Sequence, residues 1–129
     1  MLDSPYELLF YQTAEGDQPA RRWMKELTPT KRRALGMALN EVLAREGIGV
    51  CDSQWGKALG GGLYEFRLRD DDPPGGKILL RLFFHPFGDK NILLLCGYDK
   101  GEHTSKRYQE EQIGLARRRL ADHILRSRR

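Results

Sequence analysis

The stretch Gly62-Leu63-Tyr64-Glu65-Phe66-Arg67-Leu68-Arg69, with Lys77-Ile78-Leu79-Leu80-Arg81-Leu82-Phe83-Phe84-His85 shortly after it, decides the fold. Polar and apolar residues alternate in both segments, and that period of two is the signature of a β-strand. In the first segment Glu65, Arg67 and Arg69 share one side, and Tyr64, Phe66 and Leu68 the other. In the second, Lys77, Arg81 and His85 oppose Ile78, Leu80, Leu82 and Phe84. Pairing the strands with their apolar sides on the core leaves a basic sheet face that carries a histidine. Folding alone gives no reason to gather those charges.

Working outward, Tyr6 to Thr13 is aromatic-rich and reads as a first strand. Asp17 is expected to cap a short helix, with Pro19 in its first turn and Ala20, Trp23, Met24 and Leu27 on one stripe. Thr28-Pro29 starts a second helix, whose Leu35, Ala38, Leu39, Val42 and Leu43 recur at helical spacing, and Gly47 stops it. The two helices read as a hairpin packed on one sheet face. Ile48 to Gly62 reads as a linker and Asp70 to Gly76 as a loop. Gly88-Asp89-Lys90-Asn91 makes a tight connection to a third antiparallel strand, Ile92 to Tyr98. Thr104 or Ser105 caps a last helix, with Ile113, Ala116, Leu120 and Ile124 (or Leu125) as its apolar stripe. The order is strand, helix, helix, three antiparallel strands, helix: an α+β single domain over residues 1–129.

With 129 residues, 40% hydrophobic and 31% charged, the chain has the composition of a globular domain with a real core. Its apolar runs are strand-length and too short to span a bilayer, so no membrane association is expected. Met1-Leu2-Asp3-Ser4-Pro5 lacks the basic and apolar regions of a secretory leader, and the two cysteines, Cys51 and Cys96, form no framework. A cytoplasmic protein with free thiols is therefore expected. Net charge is +4: residues 1–100 balance at 14 Lys+Arg and 14 Asp+Glu, and residues 101–129 carry eight against four. That excess reads first as a solvated helix face with a basic tail, Arg126-Ser127-Arg128-Arg129, and second as a contact for a polyanion.

Several chemistries find no support. Gly60-Gly61-Gly62 precedes a strand and lacks the Lys-Ser/Thr of a phosphate loop, so it reads as a turn. His85, His103 and His123 lie in separate elements without metal-ligand spacing; no metal and no cofactor are expected. No motif sets a nucleophile beside a base. The arginine face remains. Arg67 with Glu65 can be read as an ordinary surface ion pair. Yet arginines on adjacent strands repel unless an anion or several carboxylates sit between them. Tyr98-Asp99-Lys100-Gly101-Glu102-His103-Thr104-Ser105-Lys106-Arg107 then adds cations, a phenol and an imidazole at the sheet edge. The cluster suits phosphate binding, with aromatic groups to stack a base.

From roughly Tyr6 to Leu125 the chain resembles the RelE/ParE superfamily of toxins from type II toxin–antitoxin systems, closest to the HigB-like, phage-derived branch. The resemblance rests on Gly62-Leu63-Tyr64-Glu65-Phe66-Arg67, similar to the family's G-L-x-E-[LF]-R. It rests also on the following strand with Arg81, and on Leu93-Leu94-Leu95-Cys96-Gly97-Tyr98-Asp99-Lys100, similar to L-L-x-G-[FY]-x-K. It implies a RelE-like fold and a ribosome-dependent endoribonuclease that cuts mRNA without metal, by attack of a ribose 2′-OH on the adjacent phosphate. Arg67 and Arg81 would hold that phosphate and Lys100 would add charge stabilisation. His85 and His103 are acid/base candidates, and Tyr98 or Tyr108 would stack a base or transfer a proton. Arg69, Lys77, Lys106 and Arg107 would bind RNA backbone. The resemblance implies as partners a helix-turn-helix antitoxin, mRNA and the ribosome. The chain departs from the pattern at Gly101, where the branch often has a second lysine, and in its longer Asp70–Gly76 and Thr104–Ala116 segments. The alternatives are a ParE-like gyrase inhibitor without catalysis and a phage-derived nucleic-acid-binding protein.

Overall fold

The computed structural model describes residues 5–128; Met1 to Ser4 of the leader reading and Arg129 of the basic tail lie outside them. The fold is α+β, with a five-stranded mixed sheet of order β1-β5-β4-β3-β2. Strand β1 (Glu7–Phe10) runs parallel to β5 (Asn91–Asp99) at one edge, and every other pairing is antiparallel. Helices α1 (Pro19–Glu26) and α2 (Pro29–Ala38) form the expected hairpin. Helix α2 continues through a π turn (Leu39–Leu43) into α3 (Ala44–Glu46). Thr28 caps α2 by accepting the Lys31 N–H, while α1 begins at Gln18 with no side-chain cap, so Asp17 does not cap it. Gly47 ends the helix at φ +57°, and a Cβ there would lie 2.6 Å from the Tyr6 ring. Only glycine fits.

Two sequence expectations give way in the middle of the chain. The stretch read as a linker holds a 3-10 turn (Gly47–Asp52) and a further strand, β2 (Gly56–Gly60), paired with β3 (Leu63–Asp72). A five-residue strand containing two glycines carries too little periodicity to declare itself; its pairing with β3 supplies the stability. The acidic stretch read as a loop is largely ladder, because β3 continues to Asp72 opposite the start of β4 (Gly76–Phe87) at Gly76. Only Pro73, Pro74 and Gly75 remain as the turn, since edge-exposed acids keep their side chains in water while their backbone pairs.

Both sheet faces are covered. On one, Leu35, Leu39 and Leu43 pack on Phe66, Leu80, Leu82, Phe84, Ile92 and Leu94. On the other, Ala116 and Leu120 of α4 (Lys106–Ser127) pack on Leu63, Phe83, Leu93, Leu95 and Tyr98. The side read from the sequence as a free basic face is thus shared between an apolar half under α4 and a charged half. Each fully buried Leu, Ile or Phe stabilises by about 1.5–3 kcal/mol. The stripe of α4 ends early: Ile124 and Leu125 are 37% and 62% exposed.

A β-bulge settles which side chains of β5 share a face. Phe83 pairs with Cys96 but Phe84 pairs with Leu94, so Leu95 is the extra residue. Leu95 and Cys96 therefore both point toward α4, and Tyr98 follows them, while Gly97 turns to the hairpin side beneath the Trp23 ring. The Leu95 carbonyl accepts Arg119 Nη1 at 2.7 Å, and Arg117 donates to the Leu59 and Gly60 carbonyls. Part of the C-terminal positive charge thus also clamps backbone. Substituting Arg119→Met leaves the bulge carbonyl without its charged donor; urea unfolding should register a loss of about 1–3 kcal/mol.

Candidate functional site

Arg67 and Arg81 stand directly opposite each other on β3 and β4, and Arg81 stands opposite Tyr98 on β5. The row Arg67–Arg81–Tyr98 crosses three central strands on the face that α4 only partly covers. Between the arginines lies Glu65, fully buried. Its Oε1 accepts Arg67 Nε at 2.7 Å and lies 3.8 Å from Arg81 Nη1. The pair read from the sequence as a surface ion pair is therefore an internal counter-ion for two guanidiniums. A pocket of about 230 Å³ opens beside it, lined by Arg67, Arg69 and Arg81 with Gln54, Trp55 and Leu79. Three cations line the pocket and the one carboxylate beside it holds two of them, so the pocket keeps a net positive charge.

Burial pushes the Arg81 guanidinium below its ordinary range, Glu65 pulls it back up, and Arg67 pushes it down again. It stays charged at neutral pH, as guanidiniums do. The Tyr98 phenol is held above its ordinary value by burial first and by Glu65 second, against the pull of Arg81. It is therefore a protonated donor. Among the described residues, the Tyr98 hydroxyl and Glu65 Oε2 are the buried side-chain polar atoms without an intramolecular hydrogen-bond partner. The Tyr98 hydroxyl stands beside Arg81 but does not line the pocket.

Not every sequence candidate joins this cluster. Tyr98 cannot stack a base: it is 2% exposed, with its ring between Phe83 and Tyr108. Tyr108 is half-buried, and His103 covers its ring at 4.0 Å and 11°. The exposed aromatic surface at this end is consequently the His103 imidazole. Lys100 follows Tyr98 around the strand end: its N–H donates to the Leu79 carbonyl and its Nζ to Gln109 Oε1 at 3.3 Å. Lys106 and Arg107 are exposed at the start of α4, Arg107 in a loose pair with Glu111. His85 is elsewhere. Its Nδ1 is 2.7 Å from the Gly62 carbonyl, and four strand residues put it about 13 Å from Arg81. Lys77 is spent on Asp71 at 2.6 Å near the hairpin turn.

One interaction was missed in the sequence. Asp99, 6% exposed, accepts Lys31 Nζ at 2.6 Å and the Gly101 N–H at 2.9 Å, while its carbonyl accepts the Glu102 and His103 N–H groups. This bridge ties the first turn of α2 to the loop that carries Lys100 and His103. The signal was present: Lys31 stands in register with Leu35, Ala38 and Val42, a lysine on the buried stripe of its helix. Gln54 and Trp55 lay in the stretch read as a linker and gave no signal.

No group of three or more His, Cys, Asp or Glu side chains among the described residues is placed to hold a metal ion. Nor is any helix there long and apolar enough to cross a membrane. The chain matches no protein-family model and no curated protein.

The hydrogen bond to Asp99 raises the Lys31 pKa above its ordinary 10.5. The unfolded chain therefore releases this proton first, so the bridge stabilises fully below pH 10.5 and its contribution is lost as pH climbs through the raised value. Lys31→Met should cost about 2–3 kcal/mol near pH 7, and the gap from wild type should narrow above about pH 10.5 in denaturant titrations.

Proposed function

We propose that the arginine pocket grips an RNA phosphodiester and that the chain is a RelE/ParE-type toxin, an endoribonuclease that cuts ribosome-bound mRNA. The observation that carries this reading is the convergence of Arg67, Arg69 and Arg81 on one pocket, with the buried Glu65 behind two of them. Two further supports are the strands themselves: the stretches that resemble the family, Gly62–Arg67 and Leu93–Lys100, flank β4 and its Arg81. In the reaction the ribose 2′-OH attacks the adjacent phosphorus, the bond to the 5′-oxygen breaks, and the products carry a 2′,3′-cyclic phosphate and a 5′-OH. Arg67 and Arg81 oppose the charge that builds on the phosphorane oxygens, from positions fixed beforehand by Glu65. The Tyr98 hydroxyl is buried and does not line the pocket, so it acts only as a neutral neighbour of Arg81 and Glu65. Lys100 adds positive charge at the strand end, and His103, stacked on Tyr108, supplies the imidazole nearest to it in the chain for proton transfer. His85 has no step in this scheme.

A second reading, nucleic-acid binding without cleavage, is favoured by one observation: no imidazole lines the pocket. Product chemistry separates the two. Inducing the wild-type protein should arrest growth and leave mRNA fragments with 5′-OH ends, mapped by ligation-dependent primer extension. Arg69→Ala, which disturbs no internal ion pair, and Arg81→Lys, which keeps the charge but loses the fork, should each slow cleavage by about 10²–10³-fold. RNA bound but uncut would assign the binding reading. Arrest that survives both substitutions with intact mRNA and blocked DNA supercoiling would assign the gyrase-inhibiting alternative.

A further inference from the structure

The helical hairpin carries a charge cluster that the pocket does not use. Residues 21–33 hold Arg21, Arg22, Lys25, Lys31, Arg32 and Arg33 against a single carboxylate, Glu26. Lys31 is turned inward to Asp99. The other five are exposed, and among the described residues none of them lies in an ion pair. The balanced charge of residues 1–100 conceals this patch, because the compensating acids sit elsewhere, at Glu41, Glu46 and Asp52 and at Asp70 to Asp72.

The fold does not ask for these cations. Arg32 donates to the Lys25 and Leu27 carbonyls at the end of α1, and Arg21 makes one long contact, 3.5 Å, to Gln18 Oε1. Both helices place cations and no acid in the first turn, the end where the helix dipole penalises positive charge by about 0.3–1 kcal/mol each. Arg21 and Lys25 are also a like-charged i,i+4 pair. Local rules broken together, without a packing gain, mark a surface shaped by a partner.

We infer that the outer face of the hairpin docks the phosphate backbone of double-helical RNA. The RNA assignment rests on the reading of the pocket given above. The face is rigid and cationic, and none of its outward side chains is aromatic, so it offers phosphate contacts without the stacking platform that single strands use. The Lys31–Asp99 bridge joins it to the strand end that carries Tyr98 and Arg81, so both basic surfaces open at the same end of the sheet. A strand held in the pocket thus has a structured RNA neighbour on the hairpin side.

The test is salt-dependent binding to an RNA duplex of about 20 bp, long enough to present successive grooves, by the full chain and by the quadruple variant Arg21→Gln, Arg22→Gln, Lys25→Gln, Arg33→Gln, with Arg32 kept. The slope of log affinity against log salt should fall by about 3–4 in the variant, while binding of an RNA trinucleotide is unchanged. An unchanged slope overturns the inference. Equal wild-type affinity for poly-glutamate, or for the matching DNA duplex, overturns the assignment to RNA. Arg69→Ala separates the two readings: if it leaves trinucleotide binding intact while the duplex slope still falls in the quadruple variant, the pocket reading fails and the docking face stands.

Discussion

The buried carboxylate of Glu65 is the constraint on which the charged half of the sheet depends. A lone carboxylate taken out of water costs several kcal/mol, and here the cost is offset by Arg67 and more distantly by Arg81. The same contacts keep two opposed guanidiniums from driving their strands apart. Glu65 thereby ties strand register to site geometry, because slipping β3 by one residue would turn Glu65 and Arg67 to the hairpin side and leave Arg81 facing apolar neighbours. One oxygen of Glu65 remains uncommitted and the excess positive charge remains in the pocket. The two guanidiniums are held in place by Glu65 without any ligand, and a group fixed beforehand loses less freedom on binding.

The second determinant is the extra residue in β5. Without Leu95 in its bulge, strict alternation would put Tyr98 on the hairpin side with Ile92 and Leu94. With it, Tyr98 shares a face with Arg81, and Gly97 takes the place beneath Trp23 where no side chain fits. The bulge is held by Arg119, so the C-terminal helix does more than cover apolar surface. Three of its cations, Arg117, Arg119 and Arg126, are engaged with backbone carbonyls. Its open cations include Lys106 at its start, near His103 and Lys100, and Arg118 in its middle. Charge counted along a chain therefore says little about charge available to a ligand. The balanced first hundred residues hold the exposed hairpin cluster, and three of the eight cations of residues 101–129 are held on backbone carbonyls.

Much of the architecture was legible. The alternation in β3 and β4, the stripe of α2, Thr28 as a cap, and Gly47 as a stop are local signals, each with a local physical cause, and each survives in the fold. What failed was also local in appearance. A short glycine-containing strand has no pattern of its own, and a run of acids looks like a loop until its backbone is paired. The site was half legible. Arg67, Arg69 and Arg81 follow from alternation, and the pocket gathers all three. His85 has the right parity but the wrong distance along the strand. Tyr98 shares a face with Arg81, but burial removes it as a stacking surface.

The sequence by itself determined four of the five strands, the helical hairpin and the arginines of the charged face, because side-chain period and capping are set by near neighbours in the chain. Only the tertiary structure decided that Glu65 is buried between two arginines, that Asp99 holds Lys31, and that Tyr98 turns toward Arg81. These depend on register, on one extra residue in β5, and on which surface the last helix covers. Apart from Glu65–Arg67, such contacts join residues 16 to 68 positions apart, and no local pattern encodes a distance of that kind.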